Sequence, residues 1–187
     1  MVDTAIKEFG KIDIVVNNAG ATKRGDFFSL TDADFHDGFA LKFHGYVRLS
    51  RAAWPHLKKT HGSIINIIGV GGRTAAADFT IGGPVNAALF NFTKALARLG
   101  VRDGVRVNGL SPGSIETDRL KGRLSVLAKD EGIREDEARR RNLAQLGVAR
   151  FGRPDEIGKL VCFLASAPAD YIQGALVDMD GGVTRGI

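Results

Sequence analysis

Residues 62–99 read GSIINIIGVGGRTAAADFTIGGPVNAALFNFTKALARL, and this stretch decides the fold of the chain. It opens at 63–68 with a run that is rich in β-branched residues and does not alternate, which is typical of a parallel strand covered on both faces. A glycine-rich break follows at 69–72. The next apolar residues recur at the three- and four-residue spacing of a helix face: Val85, Leu89, Phe92 and Leu96. Strand, loop and helix make half of a βαβ unit, whose ligands bind at the carboxyl end of the strands.

Two other predicted strands also end in turns that suit a ligand. The apolar run at 12–16 leads into Asn17-Asn18-Ala19-Gly20, where asparagine side chains can fix the turn and Gly20 permits close approach. Taken alone, this short motif favours a plain turn over a ligand site. The run at 105–110 ends in Ser111-Pro112-Gly113-Ser114-Ile115-Glu116-Thr117, a rigid open turn whose backbone groups can face a ligand. A last strand is predicted within 171–182.

Helices are predicted between these strands. Residues 2–9 are predicted to be the last part of a helix that stops at Gly10. Thr31, with Asp34 three residues later, marks the start of a long helix over 31–58 that bends near Gly38. Residues 118–150 are charged and helical in pattern, and we interpret them either as a lid over the pocket or as a solvated insertion. Arg153-Pro154-Asp155-Glu156 begins a helix that runs to 166.

The composition limits the classes of function. The chain has 187 residues, 44% of them hydrophobic, which is enough for one α/β domain over 1–187. No run approaches the roughly 20 apolar residues of a membrane helix, and the first residues lack the apolar segment of a signal peptide, so we predict no membrane partner. The net charge of +5 comes with interleaved signs at 134–141, which favours a solvated helix over a nucleic-acid surface. No metal site is predicted.

The single cysteine, Cys162, lies in the apolar run 160–164. Free cysteines are among the most buried residues, so we expect a buried, inert thiol there. One cysteine forms no disulfide within the chain, which predicts a cytoplasmic location.

The stretch 62–99 resembles the active-site segment of the short-chain dehydrogenase/reductase family, where a strand ends in serine and a Tyr-x-x-x-Lys motif opens the next helix. The segments that fix the alignment are Ile65-Asn66-Ile67 and Phe92-Thr93-Lys94-Ala95-Leu96-Ala97. The resemblance covers nearly the whole chain through further motifs: Asn17-Asn18-Ala19-Gly20, Ser111-Pro112-Gly113, Arg153-Pro154-Asp155-Glu156-Ile157 and Asp180-Gly181-Gly182. It implies a Rossmann-like, doubly wound parallel α/β sheet and a homo-oligomer, a dimer or tetramer formed through the helices at 31–58 and 82–99 and the final strand.

The resemblance also implies the cofactor and its contacts. The family transfers hydride between the nicotinamide of NAD or NADP and a small-molecule alcohol or carbonyl substrate. It places Asn18, Ala19 and Gly20 along the adenosine side of the cofactor. The residues implied on the nicotinamide side are Pro112, Gly113, Ile115 and Thr117. The family's opening Gly-rich turn does not precede Asn17, so we expect an N-terminally shortened chain with strands four to seven of the family sheet and an apolar edge at 12–16.

At the four catalytic positions of the family this chain carries other residues. The alignment puts Gly69 at the serine, Gly82 at the tyrosine, Asn86 at the lysine and Lys42 at the asparagine. A free tyrosine has a pKa near ~10, and in the family a neighbouring lysine lowers it so that the phenol exchanges a proton. Neither Gly82 nor Asn86 can do this. We expect Lys42 to be a surface lysine, with proton donor or anion ligand as the alternative, and Asn86 to remain able to bond a ribose hydroxyl.

Two functions follow from this pattern. The intact scaffold motifs favour an NAD(P)-dependent oxidoreductase with a divergent active site. The joint replacement at Lys42, Gly69, Gly82 and Asn86 favours a catalytically silent binding or assembly module. We expect Tyr46 at an ordinary packing position, His44 on a helix surface, and Tyr171 in a turn, so none of them replaces the missing acid.

Overall fold

A computed structural model describes residues 1–186 and contains one parallel sheet. Its strands, in the order β1-β2-β3-β4, are β1 (Ile14–Asn17), β2 (Ser63–Ile67), β3 (Arg106–Pro112) and β4 (Leu176–Met179). All three neighbouring pairs are parallel. The sheet is flanked by helices, so the predicted α/β fold with four parallel strands is confirmed. In strand β1 the side chains of Ile14 and Val16 are 49% and 42% exposed, which makes it an apolar edge.

The helices connect these strands in crossover fashion. They are α1 (Val2–Phe9), α2 (Asp32–Gly38), α3 (His44–Thr60), α4 (Gly82–Asp103), α5 (Asp118–Glu131), α6 (Glu135–Leu146) and α7 (Pro154–Ala165). Helix α2 begins as predicted, because the Thr31 side chain accepts from the Asp34 backbone N–H while Asp34 accepts from the Thr31 N–H. Helix α1 ends at Gly10, whose φ of 75° is the left-handed conformation that glycine tolerates.

The bend predicted near Gly38 is a π-helical turn at Phe39–Phe43, between α2 and α3. A π turn inserts one residue into the helical register and rotates the side chains that follow it, and such turns are frequent at functional sites. Lys42 lies within this turn. The local irregularity therefore sets the direction of the Lys42 side chain.

A buried polar network joins β1, β2, α3 and α4 below the carboxyl edge of the sheet. Asn17 Nδ2 donates to Asn66 Oδ1 at 2.8 Å and to Ser50 Oγ at 3.1 Å. Asn66 Nδ2 donates to Thr93 Oγ1 at 2.9 Å, and that hydroxyl donates to Leu89 O. Because buried amides are costly unless paired, this chain of bonds fixes the lateral positions of the elements that carry the site.

Cys162 does not lie in the core, contrary to prediction. It is exposed, whereas Leu164, two residues later on α7, is 1% exposed. Each helical residue turns by about 100°, so positions two apart lie on nearly opposite faces. The continuous apolar run at 160–164 conceals this periodicity in the sequence.

The charged segments form local ion pairs. On helix α6, Glu137 receives hydrogen bonds from Arg140 and Arg141, and Arg141 also reaches Glu131 on α5. The solvated helix predicted at 134–141 is thus present. No helix among residues 1–186 combines the length and the apolar character needed to cross a bilayer.

Candidate active site at the carboxyl edge of the sheet

The carboxyl ends of β1, β2 and β3 lie at one edge because the strands are parallel. Three loops leave from this edge: residues 18–20 after β1, residues 68–72 after β2 and residues 113–117 after β3. The π turn at Phe39–Phe43 and the first turn of α4 close on the same place, since side chains from both meet beyond β2.

Lys42 is held at the centre of this edge and is not a surface lysine. Its Nζ donates to Ile68 O at 2.5 Å and to Asn86 Oδ1 at 2.8 Å. Its alkyl chain covers Gly20, where a β-carbon would lie 2.8 Å from Lys42 Cγ and Cδ. The expectation of an ordinary surface position was wrong because the π turn directs this side chain inward.

The electrostatics of Lys42 follow from its burial. Desolvation of the ammonium, together with the nearby positive charge of Arg119, lowers its pKa to about 8. No carboxylate oxygen among residues 1–186 lies within 4.0 Å of its Nζ. The amine therefore titrates close to neutral pH without a charged partner.

At the positions aligned with the family's serine and lysine, Gly69 and Asn86 lie side by side. Gly69 has a φ of 115°, which L side chains rarely adopt, and a β-carbon there would lie 3.3 Å from Asn86 Nδ2. A serine at this position would thus be strained. Asn86 is buried, and its Oδ1 accepts a hydrogen bond from the Lys42 ammonium.

The space beside Gly82 is filled by Phe79. A β-carbon at Gly82 would lie 2.0 Å from Phe79 Cζ and 2.6 Å from Thr22 Oγ1. The ring also contacts Gly71 and is covered by the Arg24 guanidinium, 3.9 Å from its centroid. An aromatic ring thus stands beside the position aligned with the family's tyrosine, but it carries no hydroxyl.

Both tyrosines lie where the sequence predicts, Tyr46 at a buried packing position and Tyr171 in an exposed turn. The Tyr46 hydroxyl donates to Ile67 O at 2.7 Å, and burial raises the pKa of that phenol. Tyr171 is fully exposed in the turn before β4. His44 is exposed on α3, as expected. Neither phenol is available to exchange a proton with a ligand at this edge.

The loop after β3 is fixed by pairing with Gly152. Glu116 N donates to Gly152 O, and Gly152 N donates to Ser114 O. Ile115 lies between these two bonds, so its own N–H and carbonyl face the opposite side, and the N–H has no acceptor among residues 1–186. Gly113 contacts Asp180 instead of open space, since a β-carbon there would lie 2.8 Å from Asp180 Cα.

The two loops predicted to bind a cofactor are neighbours. Arg119 Nη2, in the first turn of α5, donates to Gly20 O at 3.2 Å, which joins the loop after β3 to the loop after β1. Asn18 and Ala19 are exposed beside this contact, as is Thr117, whose hydroxyl donates only weakly to Ile115 O.

These groups fit a dinucleotide that lies along this edge. Donors that are unpaired or only partly paired lie here: the Ile115 N–H, the exposed amide of Asn18 and the Lys42 ammonium. Thr80 Oγ1, in the turn before α4, is a buried hydroxyl with no partner among residues 1–186. Buried polar groups in native proteins are nearly always paired, so this hydroxyl is left free to bond a polar ligand.

Sequence reasoning missed two members of this site. Arg119 follows the predicted turn by two residues and is one of many arginines, so no pattern distinguishes it. Phe79 is one of 11 phenylalanines, and nothing in the sequence distinguishes it except Gly71 and Gly82, whose missing β-carbons leave room for its ring. Arg73, which follows the loop after β2, pairs with Asp178 at 3.3 Å.

Comparison with known proteins identifies the family of this chain. The profile of the family described as "Enoyl-(Acyl carrier protein) reductase" matches residues 1–184. The chain is 32% identical over 185 residues to 4-formylbenzenesulfonate dehydrogenase of Comamonas testosteroni, which covers 97% of this chain and 71% of that protein. It is 36% identical over 180 residues to the 3-oxoacyl-(acyl-carrier-protein) reductase of Vibrio cholerae, covering 94% and 68%.

Among solved structures, the L-sorbose reductase of Gluconobacter frateurii complexed with NADPH and L-sorbose superposes with a TM-score of 0.94 at 28% identity. The match covers 100% of this chain and 72% of that one. Sequence profile, relatives and structural neighbour agree on one family. The chain belongs to the short-chain dehydrogenase/reductase family of NAD(P)-dependent oxidoreductases.

Proposed function

We propose that this protein transfers hydride between a nicotinamide cofactor and a small alcohol or carbonyl substrate. The observation that carries the proposal is the Lys42 ammonium, fixed by Ile68 O and Asn86 Oδ1 at the carboxyl edge of the sheet. Burying an ammonium without a carboxylate partner costs stability, and perturbed groups of this kind concentrate at functional sites.

The cofactor would be held by the two joined loops. Asn18, Ala19 and Gly20 would contact it towards the adenosine side, and the turn after β3 would contact the nicotinamide side. The residues of that turn are Pro112, Gly113, Ile115 and Thr117. When bound, the nicotinamide supplies or accepts hydride. The chain's own part is to orient the ring through the Ile115 backbone and to present a charged donor beside it. An NADPH-bound relative favours NADP, and NAD is the alternative.

The substrate proposal follows from charge. Lys42 and Arg119 place two positive charges near the edge, and Gly20 O is the only acceptor that Arg119 contacts among residues 1–186. Relatives are named for a formylbenzenesulfonate, a 3-oxoacyl thioester and a ketose. We therefore favour a carbonyl compound that also carries an anionic group.

Two further features complete the proposal. Helices α5 and α6 pack on each other around Leu120, Leu124 and Phe151, with Leu143 and Leu146, and form a separate small cluster beside the site. We assign this unit, within 118–150, the role of a lid. We also propose a homo-oligomer formed through the long helices and the final strand.

The second candidate is a catalytically silent member of the family. It is favoured by the Phe79 ring, which fills the space beside Gly82 where the family's phenol belongs. In this case Lys42 would serve only to tie the π turn to β2, and cofactor binding would persist without turnover or be lost.

Titration with NADPH and NADH, followed by nicotinamide fluorescence, separates these functions. We expect saturable binding of at least one reduced cofactor and its oxidation in the presence of 4-formylbenzenesulfonate, a 3-oxoacyl thioester or L-sorbose. A Lys58→Gln variant, altered at an exposed lysine of α3 paired with Asp103, serves as the matched control and should behave as wild type. A folded protein that binds neither cofactor would remove the oxidoreductase proposal, and binding without turnover of any probe would leave the silent module.

A further inference from the structure

We propose that Lys42 is the proton donor for carbonyl reduction, with Asn86 as the residue that positions its ammonium. The inference rests on the proposed function and names the group that carries its acid–base step. In the family this proton is exchanged by a tyrosine phenol on the helix that corresponds to α4. Here the role would belong to a lysine outside that motif, in the π turn at Phe39–Phe43.

The first argument is that Lys42 and Asn86 are exchanged relative to the family pattern. The resemblance places asparagine at 42 and lysine at 86, and here each position carries the other residue. Their side chains meet in one hydrogen bond of 2.8 Å. The two positions therefore still carry one ammonium and one amide in contact, each on the element where the family has the other.

The second argument concerns the donors of the ammonium. A lysine ammonium carries three N–H groups, and Lys42 uses two, on Ile68 O and Asn86 Oδ1. The third has no acceptor among residues 1–186. Both acceptors are themselves fixed, one at the end of β2 and the other on α4. The remaining N–H is thus presented with defined orientation at the edge where ligands bind.

The third argument is that, among residues 1–186, the phenols and the nearby arginines do not exchange a proton near neutral pH. Tyr46 is committed to Ile67 O, and Tyr171 is exposed elsewhere. Arg119 and Arg73 are guanidiniums, which do not lose a proton in proteins. Among the charged groups on the elements packed around Lys42, Arg119 is the one near enough to change the pKa of this amine. Its like charge and burial both favour release of the proton, and an acid with a pKa near the working pH is the efficient one.

The proposed step conserves atoms and charge. As the carbonyl carbon accepts hydride from the reduced nicotinamide dinucleotide, the C=O electron pair moves onto oxygen. That oxygen forms an O–H bond with a proton from Lys42, whose N–H bond breaks and leaves a neutral amine. The neutral amine keeps two N–H groups for Ile68 O and Asn86 Oδ1, and it recovers a proton from water. Alcohol oxidation runs through the reverse steps.

The test compares wild type with Lys42→Arg, Lys42→Gln and Asn86→Asp. Arginine keeps the charge but cannot release a proton, so kcat with saturating NADPH should fall by ~10²–10⁴-fold while the NADPH dissociation constant stays within about threefold. Lys42→Gln should lose kcat to a similar extent. In Asn86→Asp the new carboxylate favours the ammonium, so the alkaline limb of kcat should move up by about one pH unit or more.

A readout independent of turnover is the titration of the Lys42 side chain by ¹³C NMR in the cofactor-free protein, assigned by its absence in Lys42→Arg. We expect it to titrate well below the other lysines and to move upward in Asn86→Asp. If wild type turns over a probe and Lys42→Arg matches it, or if Asn86→Asp leaves both titrations unchanged, the assignment of Lys42 fails while the proposed function stands. If wild type binds NADPH and reduces no probe, the function and this inference fail together.

Discussion

Raising the pH should stabilise the wild-type protein relative to a Lys42→Met variant. In the folded state burial lowers the pKa of Lys42 to about 8, from 10.5 for a free lysine. Below pH 8 the amine is charged in both states, and the folded state bears the penalty. Between about pH 8 and pH 10.5 the folded protein releases this proton while the unfolded chain keeps it, so unfolding takes up a proton and wild-type stability rises with pH.

The expected size of this effect is about 3 kcal/mol in the difference between wild-type and Lys42→Met free energies of unfolding. Urea denaturation of both proteins, at several values between about pH 7 and pH 10.5, measures it directly. Taking the difference between the wild-type and Lys42→Met free energies of unfolding removes the contributions of all other titrating groups. A Lys58→Met variant, which alters an exposed lysine of the following helix α3, should give a curve parallel to wild type. Parallel curves for Lys42→Met as well would mean that the amine is not buried as described.

Replacing Gly100 by alanine should destabilise the fold strongly, although alanine is the better helix former. Gly100 lies in α4 where the helix meets the start of β3, and a β-carbon there would lie 2.0 Å from Val105 O and 2.9 Å from Gln173 Nε2. The first of these is a backbone atom that cannot turn aside. Helix α4 would have to move away from β3, at a cost of about 3 kcal/mol, in the upper part of the range for overpacked cores.

The matched control is Gly45→Ala in helix α3, where a β-carbon meets nothing within 4 Å. The same substitution should there raise stability by up to about 1 kcal/mol, because alanine loses less backbone freedom on folding. Thermal unfolding of both variants provides the comparison. Equal effects at the two positions would show that α4 and β3 do not approach each other as closely as described.

Much of the fold could be predicted because its signals are local. The run at 63–68 reads as a strand, and Thr31 with Asp34 marks a helix start through bonds that span three residues. Parallel order followed from the family resemblance. These features depend on neighbours in the sequence or on the repeat of a single element, so the residues themselves contain the information.

The site could be located but not understood from the sequence. The alignment identified Lys42 and Asn86 as unusual, yet a surface lysine was the expected outcome for Lys42. Its burial depends on the π turn at Phe39–Phe43, which has no sequence signature, and on contacts with Ile68 and Asn86, 26 and 44 residues away. The prediction of a buried Cys162 was wrong for a related reason, because an apolar run does not show which helix face meets the sheet.

The most direct test of whether Lys42 takes the role of the family's tyrosine is a crystal structure of this chain with NADPH. We expect the nicotinamide ring at the carboxyl edge of the sheet, next to Ile115 and Lys42, with Lys42 Nζ still bonded to Asn86. A nicotinamide ring bound elsewhere, or a Lys42 side chain turned into solvent in the complex, would contradict it.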